Sequence, residues 1–415
     1  MRGLVLFAVA VAVSGCTAGN WGHIGSGGGP REPVSKADVV VQSPRLSPDG
    51  KAILFAFRYK QYPWMIGMVP SDPAATGAEV IKLPPGLDWV EPNWAPDNAH
   101  FAAVSYCLRD DCYEGAKGIN VWVASAQPAN TLKRLTPDVP QVRRAAPMFG
   151  ATADDVYWIL SGTEDVPGAR MDLHNRYVAH LVDGKEKTLF PDINVNGNLG
   201  HGFKDPANLV IVSAHGAGRF DEHGYYFTAM VDRGDSDAAK AAVQQVGFLR
   251  SALLRYADGK FELVEPKEID FVDAPRGGIG YVSEAHPFVR EHKGSVVSDF
   301  RIVQGGQTAW SFRFDAPASD LSISDDLKTV IFLGERGRME ADDRWVPKQE
   351  SSLFLRRQGM SEAVDLSLPE RVKAKVEEEI EAEKRARIST PKPPVKPLTG
   401  KVVFAVDNGH FAVQD

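Results

Sequence analysis

The feature that most constrains this chain is a turn joined to a strand, because it recurs. Residues 46–55 read LSPDGKAILF. Ser47-Pro48-Asp49-Gly50 is turn chemistry: proline presets φ, aspartate bonds its own backbone, and glycine accepts positive φ. Behind it, Ile53 and Phe55 alternate with the period of two that marks a strand with one buried face. The unit returns at Asp97 in WAPDNAHFAAV, at Asp205 in FKDPANLVIV and at Asp326 in ISDDLKTVIF. A shorter form, TADDVYWIL, sets Asp154 before Val156 and Trp158. The markers lie about 50 residues apart and the last gap is about two periods, which places a degenerate unit near Gly277-Gly278. Five visible units and one degenerate unit make six. Repeats of that length, each with several short strands, are the signature of a β-propeller.

Each unit also carries a second hairpin. VWVASAQPANTLKRLT, YVAHLVDGKEKTLF and LLRYADGKFELVEP supply examples, the last two turning on Asp-Gly. The expected fold class is therefore all-β: a six-bladed β-propeller of four-stranded antiparallel blades, with a C-terminal helix and hairpin extension. The fourth unit is enlarged, with a short helix expected over Asp237 to Val246. The propeller is expected over 37–367. Residues 368–390 follow as a charged helix whose stripe is Val372, Val376 and Ile380. A partner could dock on that stripe, or the stripe could lie against the propeller rim. Residues 391–415 read as a proline-rich spacer and a terminal hairpin around Asn408-Gly409. Either that hairpin or Val39-Val40-Val41 could close the last blade.

The N-terminus carries a separate signal. Met1-Arg2 is a minimal positive region, and Leu4 to Val13 is an apolar stretch of secretory length. It ends in Val13-Ser14-Gly15-Cys16, which resembles a bacterial lipobox. That resemblance implies removal of residues 1–15, acylation of Cys16 and, with Thr17 in place of aspartate, sorting to the outer membrane facing the periplasm. Residues 16–36 are rich in Gly, Ser and Pro and read as a flexible tether, whose coil span is about 25 Å. The net charge of −7 argues against a nucleic-acid partner, which would need a basic stripe. The remainder of the chain has no apolar run long enough to span a membrane. Cys107 and Cys112 bracket LRDD at a hairpin tip, and in an oxidising compartment they point to a disulfide holding an exposed loop.

PRLSPDGKAILF, PNWAPDNAHFAA and LSISDDLKTVIF resemble the repeats of TolB-type six-bladed β-propellers, over roughly residues 38–367. In that family the motif aspartates stabilise turns, so Asp49, Asp97, Asp154, Asp205 and Asp326 are not catalytic candidates. TolB carries an additional N-terminal domain that is missing here, so membership of its system is not implied. There is no G-x-S-x-G elbow, Walker loop or H-E-x-x-H motif in the chain.

Two readings of the function remain open. The first is an interaction scaffold without cofactor, which meets an envelope protein through a polar ring on the channel face. The segments leading into the innermost strands supply that ring: Gln42, Glu91, Arg143, Arg144, Asn196, Asn198, His201 and Asp320. Mixed charge of this kind suits a protein loop or a glycan and is poor for an apolar ligand. The second is a glycan-binding or glycan-cleaving, lyase-like propeller. It would hold a divalent metal through His215, Asp221 and His223, with Glu222 beside them. His174, His180 and His286 are scattered and read as structural. Trp64, Trp94 and Trp122 read as core between blades.

Overall fold

The structure is a computed structural model. It describes residues 38–107, 112–126, 131–137, 142–162, 175–182, 185–188, 203–204, 210–215, 220–221, 224–232, 250–257, 260–265, 271–283, 297–316, 318–339 and 345–389. Ser47 and Asp49 build the first turn. The Ser47 hydroxyl donates to Asp49 Oδ1 at 2.7 Å and accepts the N–H groups of Lys51 at 3.0 Å and Ala52 at 2.9 Å. Ser324 and Asp326 repeat the device: the hydroxyl donates at 2.6 Å, and Lys328 and Thr329 N–H donate back, each at 3.0 Å. Where Ala95 replaces the serine, Asp97 alone accepts Ala99 N–H at 2.9 Å and His100 N–H at 3.0 Å. The residue after the aspartate is left-handed each time, at Gly50 (φ +73°), Asn98 (+58°) and Leu327 (+60°). Gly277 (φ +108°) takes that position in the fifth unit, where Arg276 replaces the aspartate.

In the third unit the spacing corrects the sequence reading. Gly150 N–H donates to Asp155 O at 2.8 Å, as Ser47 N–H does to Ala52 O. The position equivalent to Asp49 is therefore Thr152, and Asp154 lies two residues beyond it. Asp205 and the helix expected at Asp237 to Val246 lie outside the described residues.

The strands hung on these turns form antiparallel sheets from consecutive segments. The first holds β1 (Val39–Leu46), β2 (Ala52–Tyr59), β3 (Met65–Pro70) and β4 (Glu79–Val80). The second holds β5 (Asp88–Trp94), β6 (His100–Cys107), β7 (Gly118–Ser125) and β8 (Leu132–Arg134). The third holds β9 (Val142–Phe149), β10 (Val156–Gly162), β11 (Asn175–Val182) and β12 (Lys185–Thr188). The fourth is larger, with β13 (Phe203–Lys204), β14 (Val210–His215), β15 (Phe220–Asp221), β16 (Gly224–Asp232), β17 (Arg250–Ala257) and β18 (Lys260–Glu265). The fifth holds β19 (Phe271–Asp273), β20 (Ile279–Ser283), β21 (Ser298–Gln304) and β22 (Gln307–Phe314). The sixth holds β23 (Ala318–Ile323), β24 (Thr329–Met339), β25 (Trp345–Arg357) and β26 (Val364–Asp365).

A sheet with an apolar face must cover it, and among the described residues three clusters do so between neighbouring sheets. Leu54 and Ile66 of the first sheet, Trp94, Val104 and Trp122 of the second, and Phe149 and Trp158 of the third share one core. Val282 and Phe300 of the fifth pack with Ile323 and Phe332 of the sixth. Tyr226 of the fourth packs with Ala274 and Tyr281 of the fifth. Of the tryptophans read as core between sheets, Trp94 and Trp122 are buried and Trp64 packs against the same cluster.

The last sheet also packs on the first, β1 lying against β23 and β24. Among the described residues no strand is exchanged between them, and the terminal hairpin around Asn408-Gly409 lies outside those residues. Val39-Val40-Val41 opens β1, the first strand of its own sheet, and the edge strand of the sixth sheet is β26. The contact is made by bonds instead: Asp325 N–H to Pro48 O at 2.9 Å, Leu46 N–H to Ser322 Oγ at 3.0 Å, and Arg357 Nη2 to Ser71 O at 3.3 Å. A helix, α1 (Leu368–Ser389), follows β26. Its first turns bury Leu368 and Val372 and reach the first sheet, through Arg371 Nη2 to Gly77 O at 2.6 Å and Lys373 Nζ to Asp38 Oδ2 at 2.5 Å.

Gly50→Ala tests the turn and the contact together. A Cβ at Gly50 would meet Ser324 Cβ at 3.3 Å, at a φ of +73°. Denaturant unfolding of this variant should show a loss of about 1 kcal/mol or more. An unchanged midpoint would show that the turn relaxes freely.

Candidate functional site

Four of the first strands, β1, β5, β9 and β23, are broken at the same place. Register slips between Gln42 and Arg45, between Val90 and Asn93, and between Ser319 and Ser322, with a matching slip in β9. At each bulge one residue is left-handed: Ser43 (φ +50°), Glu91 (+51°), Ala146 (+46°) and Asp320 (+51°). Pro44, Pro92 and Pro147 follow the first three. Proline lacks the N–H that a ladder would use, so it fits an unpaired bulge position.

These bulges tie neighbouring sheets. Glu91 Oε2 accepts the Ala146 N–H at 2.5 Å, linking the second sheet to the third. The Asp320 carboxylate accepts the Ser43 N–H, linking the sixth to the first. Burial pushes the Asp320 carboxyl above the usual carboxylate range, against the pull of Arg45 and the Ser43 bond. Deeper in, Ile323 N–H donates to Asp273 Oδ2 at 2.7 Å, Asn93 Nδ2 to Pro147 O at 2.9 Å, and Trp94 Nε1 to Arg45 O at 3.1 Å. At the turn end, Asp49 N–H donates to Asn98 Oδ1 and Arg276 N–H to Asp325 Oδ1, each at 3.0 Å. The Arg276 guanidinium crosses to Ala151 O of the third sheet at 2.9 Å.

A cavity lies between these strands, lined by Arg45, Asn93, Trp94, Phe149, Asp273 and Ser322 among others. The space in it open to water-sized molecules is about 30 Å³. That holds a water or two and not a sugar residue.

The expected polar ring is only partly assembled. Gln42 is half-buried in β1, and Glu91 and Asp320 are committed to the bulge bonds above. Arg143 stands on β9, paired with Ser161, and Asn196, Asn198 and His201 lie outside the described residues. Arg144 is a correction. Its side chain is fully buried, gripping Glu186 through Nε and Nη2 at 2.7 Å each and Ile119 O through Nη1 at 2.7 Å. Glu186 also accepts Trp158 Nε1 at 2.9 Å. Arg144 thus bonds both to β7 of the second sheet and to β12 of its own, and is not available to a ligand at the mouth.

Cys107 and Cys112 form a disulfide closing a separation of 5 residues. Both are buried in the core that contains Trp122, and the residues between them lie outside the described ones. Of the metal-ligand candidates, His215 ends β14 opposite Thr228 and Asp221 ends β15 opposite Gly224. Their backbones are about 13 Å apart along β16, at about 3.3 Å per residue. His223 and Glu222 lie outside the described residues, as do Cys16, His174 and His286. Elsewhere, Tyr157 stacks on His180 with ring centroids 5.2 Å apart. Burial and the neighbouring Asp155 push its phenol above the ordinary tyrosine value, so it is a donor and not a base.

No family model matches the chain, and no curated protein matches it. Similar solved structures include TolB structures and other propeller proteins. Putative TolB from Agrobacterium tumefaciens is 13% identical with a TM-score of 0.41, covering 77% of this chain and 91% of that one. Oligogalacturonate lyase from Vibrio parahaemolyticus is 10% identical with a TM-score of 0.42, covering 79% of each chain. Pyrococcus horikoshii acylaminoacyl peptidase is 13% identical with a TM-score of 0.42, covering 79% of this chain. The present chain spans 44% of that peptidase.

Two predictions follow from the buried charges. Arg144→Ala strands a carboxylate between sheets and should cost about 3–5 kcal/mol in denaturant unfolding, whereas Arg144→Met with Glu186→Met should recover much of that loss. An undamaged single variant would show that the pair is dispensable. For Asp320, the proton is held more tightly folded than unfolded. Its ionisation therefore removes stability as pH rises through the raised value. Asp38 (chiefly through Lys373), Asp299 (chiefly through Arg313), Asp49 and Asp97 have the opposite sign and lose stability as pH falls. For Asp49 and Asp97, burial pushes upward and the bonds from Ser47 and Lys51, or from His100 and Ala99, outweigh it. Asp320→Asn keeps an acceptor for Ser43 N–H. It should match or exceed the parent in stability at neutral pH, with the difference closing toward about pH 4. A variant clearly weaker at neutral pH would mean that the charge itself holds the contact.

Proposed function

We propose that the chain is a lipid-anchored envelope protein whose six sheets form a six-bladed β-propeller of the TolB type, acting as a non-enzymatic scaffold for another envelope protein. The observation that carries this reading is the state of the first strands. Glu91, Arg144 and Asp320 are bonded to neighbouring sheets, and the cavity lined by Arg45, Asn93 and Asp273 is water-sized. Recognition then falls to the loops and rims, which offer the broad polar surface a protein partner uses. Among the described residues no helix is long and apolar enough to cross a membrane. Attachment is assigned to acylated Cys16, with the protein facing the periplasm from the outer membrane.

Two measurements in intact cells test it. Cys16→Ser should abolish acyl-chain incorporation and release the protein from the membrane fraction; retention would end the anchor reading. A photo-cross-linking residue at Gln61, and separately one at Lys51, samples the two ends of the sheets. One dominant envelope protein captured reproducibly from either position supports the scaffold. Capture of abundant bystanders alone at both positions overturns it.

A further inference from the structure

The two ends of the sheets differ in chemistry. At one end lie the turns between first and second strands, which present Asp49, Lys51, Asp97, Asn98, Asp326 and Lys328. The opposite end is where the chain enters β1. Val39 pairs with Tyr59, the last residue of β2, and Lys60 N–H donates to Asp38 O at 2.7 Å. The segment preceding Asp38 therefore joins the folded body beside the β2–β3 turn. The corresponding connection of the second sheet, β6 to β7, emerges at the same end because the two sheets run alike.

Both connections expose a tyrosine. Tyr62 is 50% exposed and Tyr113 37%, and with Val264 they are the large hydrophobic residues exposed among those described. Each is braced from below. Tyr62 lies 6.1 Å from Tyr59, and Tyr113 lies 6.4 Å from Trp122. Cationic groups lie on the same connections: Lys60 Nζ is 4.7 Å from the Tyr59 ring, Arg58 lies 5.2 Å from the Trp64 ring, and Lys117 is exposed between Tyr113 and β7.

From this arrangement we infer that the end at which the chain enters β1 rests against a phospholipid bilayer, with Tyr62 and Tyr113 at headgroup depth. Tyrosine suits that depth because its ring is apolar and its hydroxyl is wet. Lys60 and Lys117 face the headgroup phosphates. The occupant follows from where the tether joins the body. This rests on the lipid-anchor reading: about twenty residues with a coil span of about 25 Å hold the joined end closer to the bilayer than the opposite end.

The test uses full-length lipidated protein in vesicles of phosphatidylethanolamine and phosphatidylglycerol doped with a nitroxide-bearing lipid. A fluorophore is placed on Gln61→Cys or on Lys51→Cys. Quenching at position 61 should be at least twofold greater than at position 51. It should fall to the position 51 level when Tyr62→Ser and Tyr113→Ser are added. Equal quenching at the two ends, or quenching indifferent to the serine substitutions, overturns the inference, and a protein partner on that face would give the first of these results. A parallel form has a hexahistidine segment in place of residues 1–16, held on a nickel-chelating lipid. It reports orientation independently of acylation, while the mass of the Cys16 peptide reports acylation alone.

Discussion

Among the described residues the last sheet joins the first without a strand in common, and the arrangement depends on that junction. An interlocked strand would make that junction from ladder hydrogen bonds. Here each sheet is built from consecutive strands, so the junction has only side chains and single backbone groups. Ser322, Pro48 and Asp320 supply the acceptors, and Arg357, Arg371 and Lys373 fasten the outer strands and the start of α1 to the first sheet. Each such bond is worth about 1 kcal/mol net, so the junction is held by their number and by the packing between them. The first turns of α1 are part of this fastening, whatever the remainder of the helix does.

The left-handed bulge residue is the second consequence of the same geometry. Neighbouring first strands pack on one another, and a bulge re-aims a backbone N–H sideways, toward the next sheet. A carboxylate one sheet over is then the natural acceptor, which is the part Glu91 plays for Ala146 and Asp320 for Ser43. Charged residues at a channel mouth look like a binding ring when read along the chain. In space, these two hold adjacent sheets in register.

Much of this was legible in the sequence, and the exceptions have physical causes. The turn motif located the sheets because its hydroxyl and carboxylate make local bonds that depend on nothing distant. Asp154 misled because an aspartate near a turn carries no label for its position. The proline five residues earlier does: Pro44, Pro92 and Pro147 stand at one offset before Asp49, Asp97 and Thr152. That second marker places Thr152 and the bulges together. Arg144 misled for a different reason. Adjacent residues on a strand face opposite ways, so Arg143 and Arg144 could not both point at the axis. Which of the two enters the seam is set by Glu186, far along the chain, and nothing local announces that pairing.

The turn that makes the repeat recognisable also limits where function can sit. The turns at one end bond to each other across sheets, from Arg276 to Asp325, from Asp325 to Pro48 and from Asp49 to Asn98, so a change in one disturbs its neighbours. The first connection between second and third strands is tied to the next sheet at its end alone, where Trp64 N–H donates to Asp88 Oδ1 at 2.8 Å and Trp89 N–H to Trp64 O at 3.0 Å. Connections of this kind differ in length and content, from the short Lys60–Trp64 turn to the disulfide-backed loop after Cys107. Freedom to vary and proximity to the point where the chain joins β1 coincide at that end. Contact chemistry can accumulate there at little cost to the bonds between turns. The exposed tyrosines lie on the end that can tolerate them.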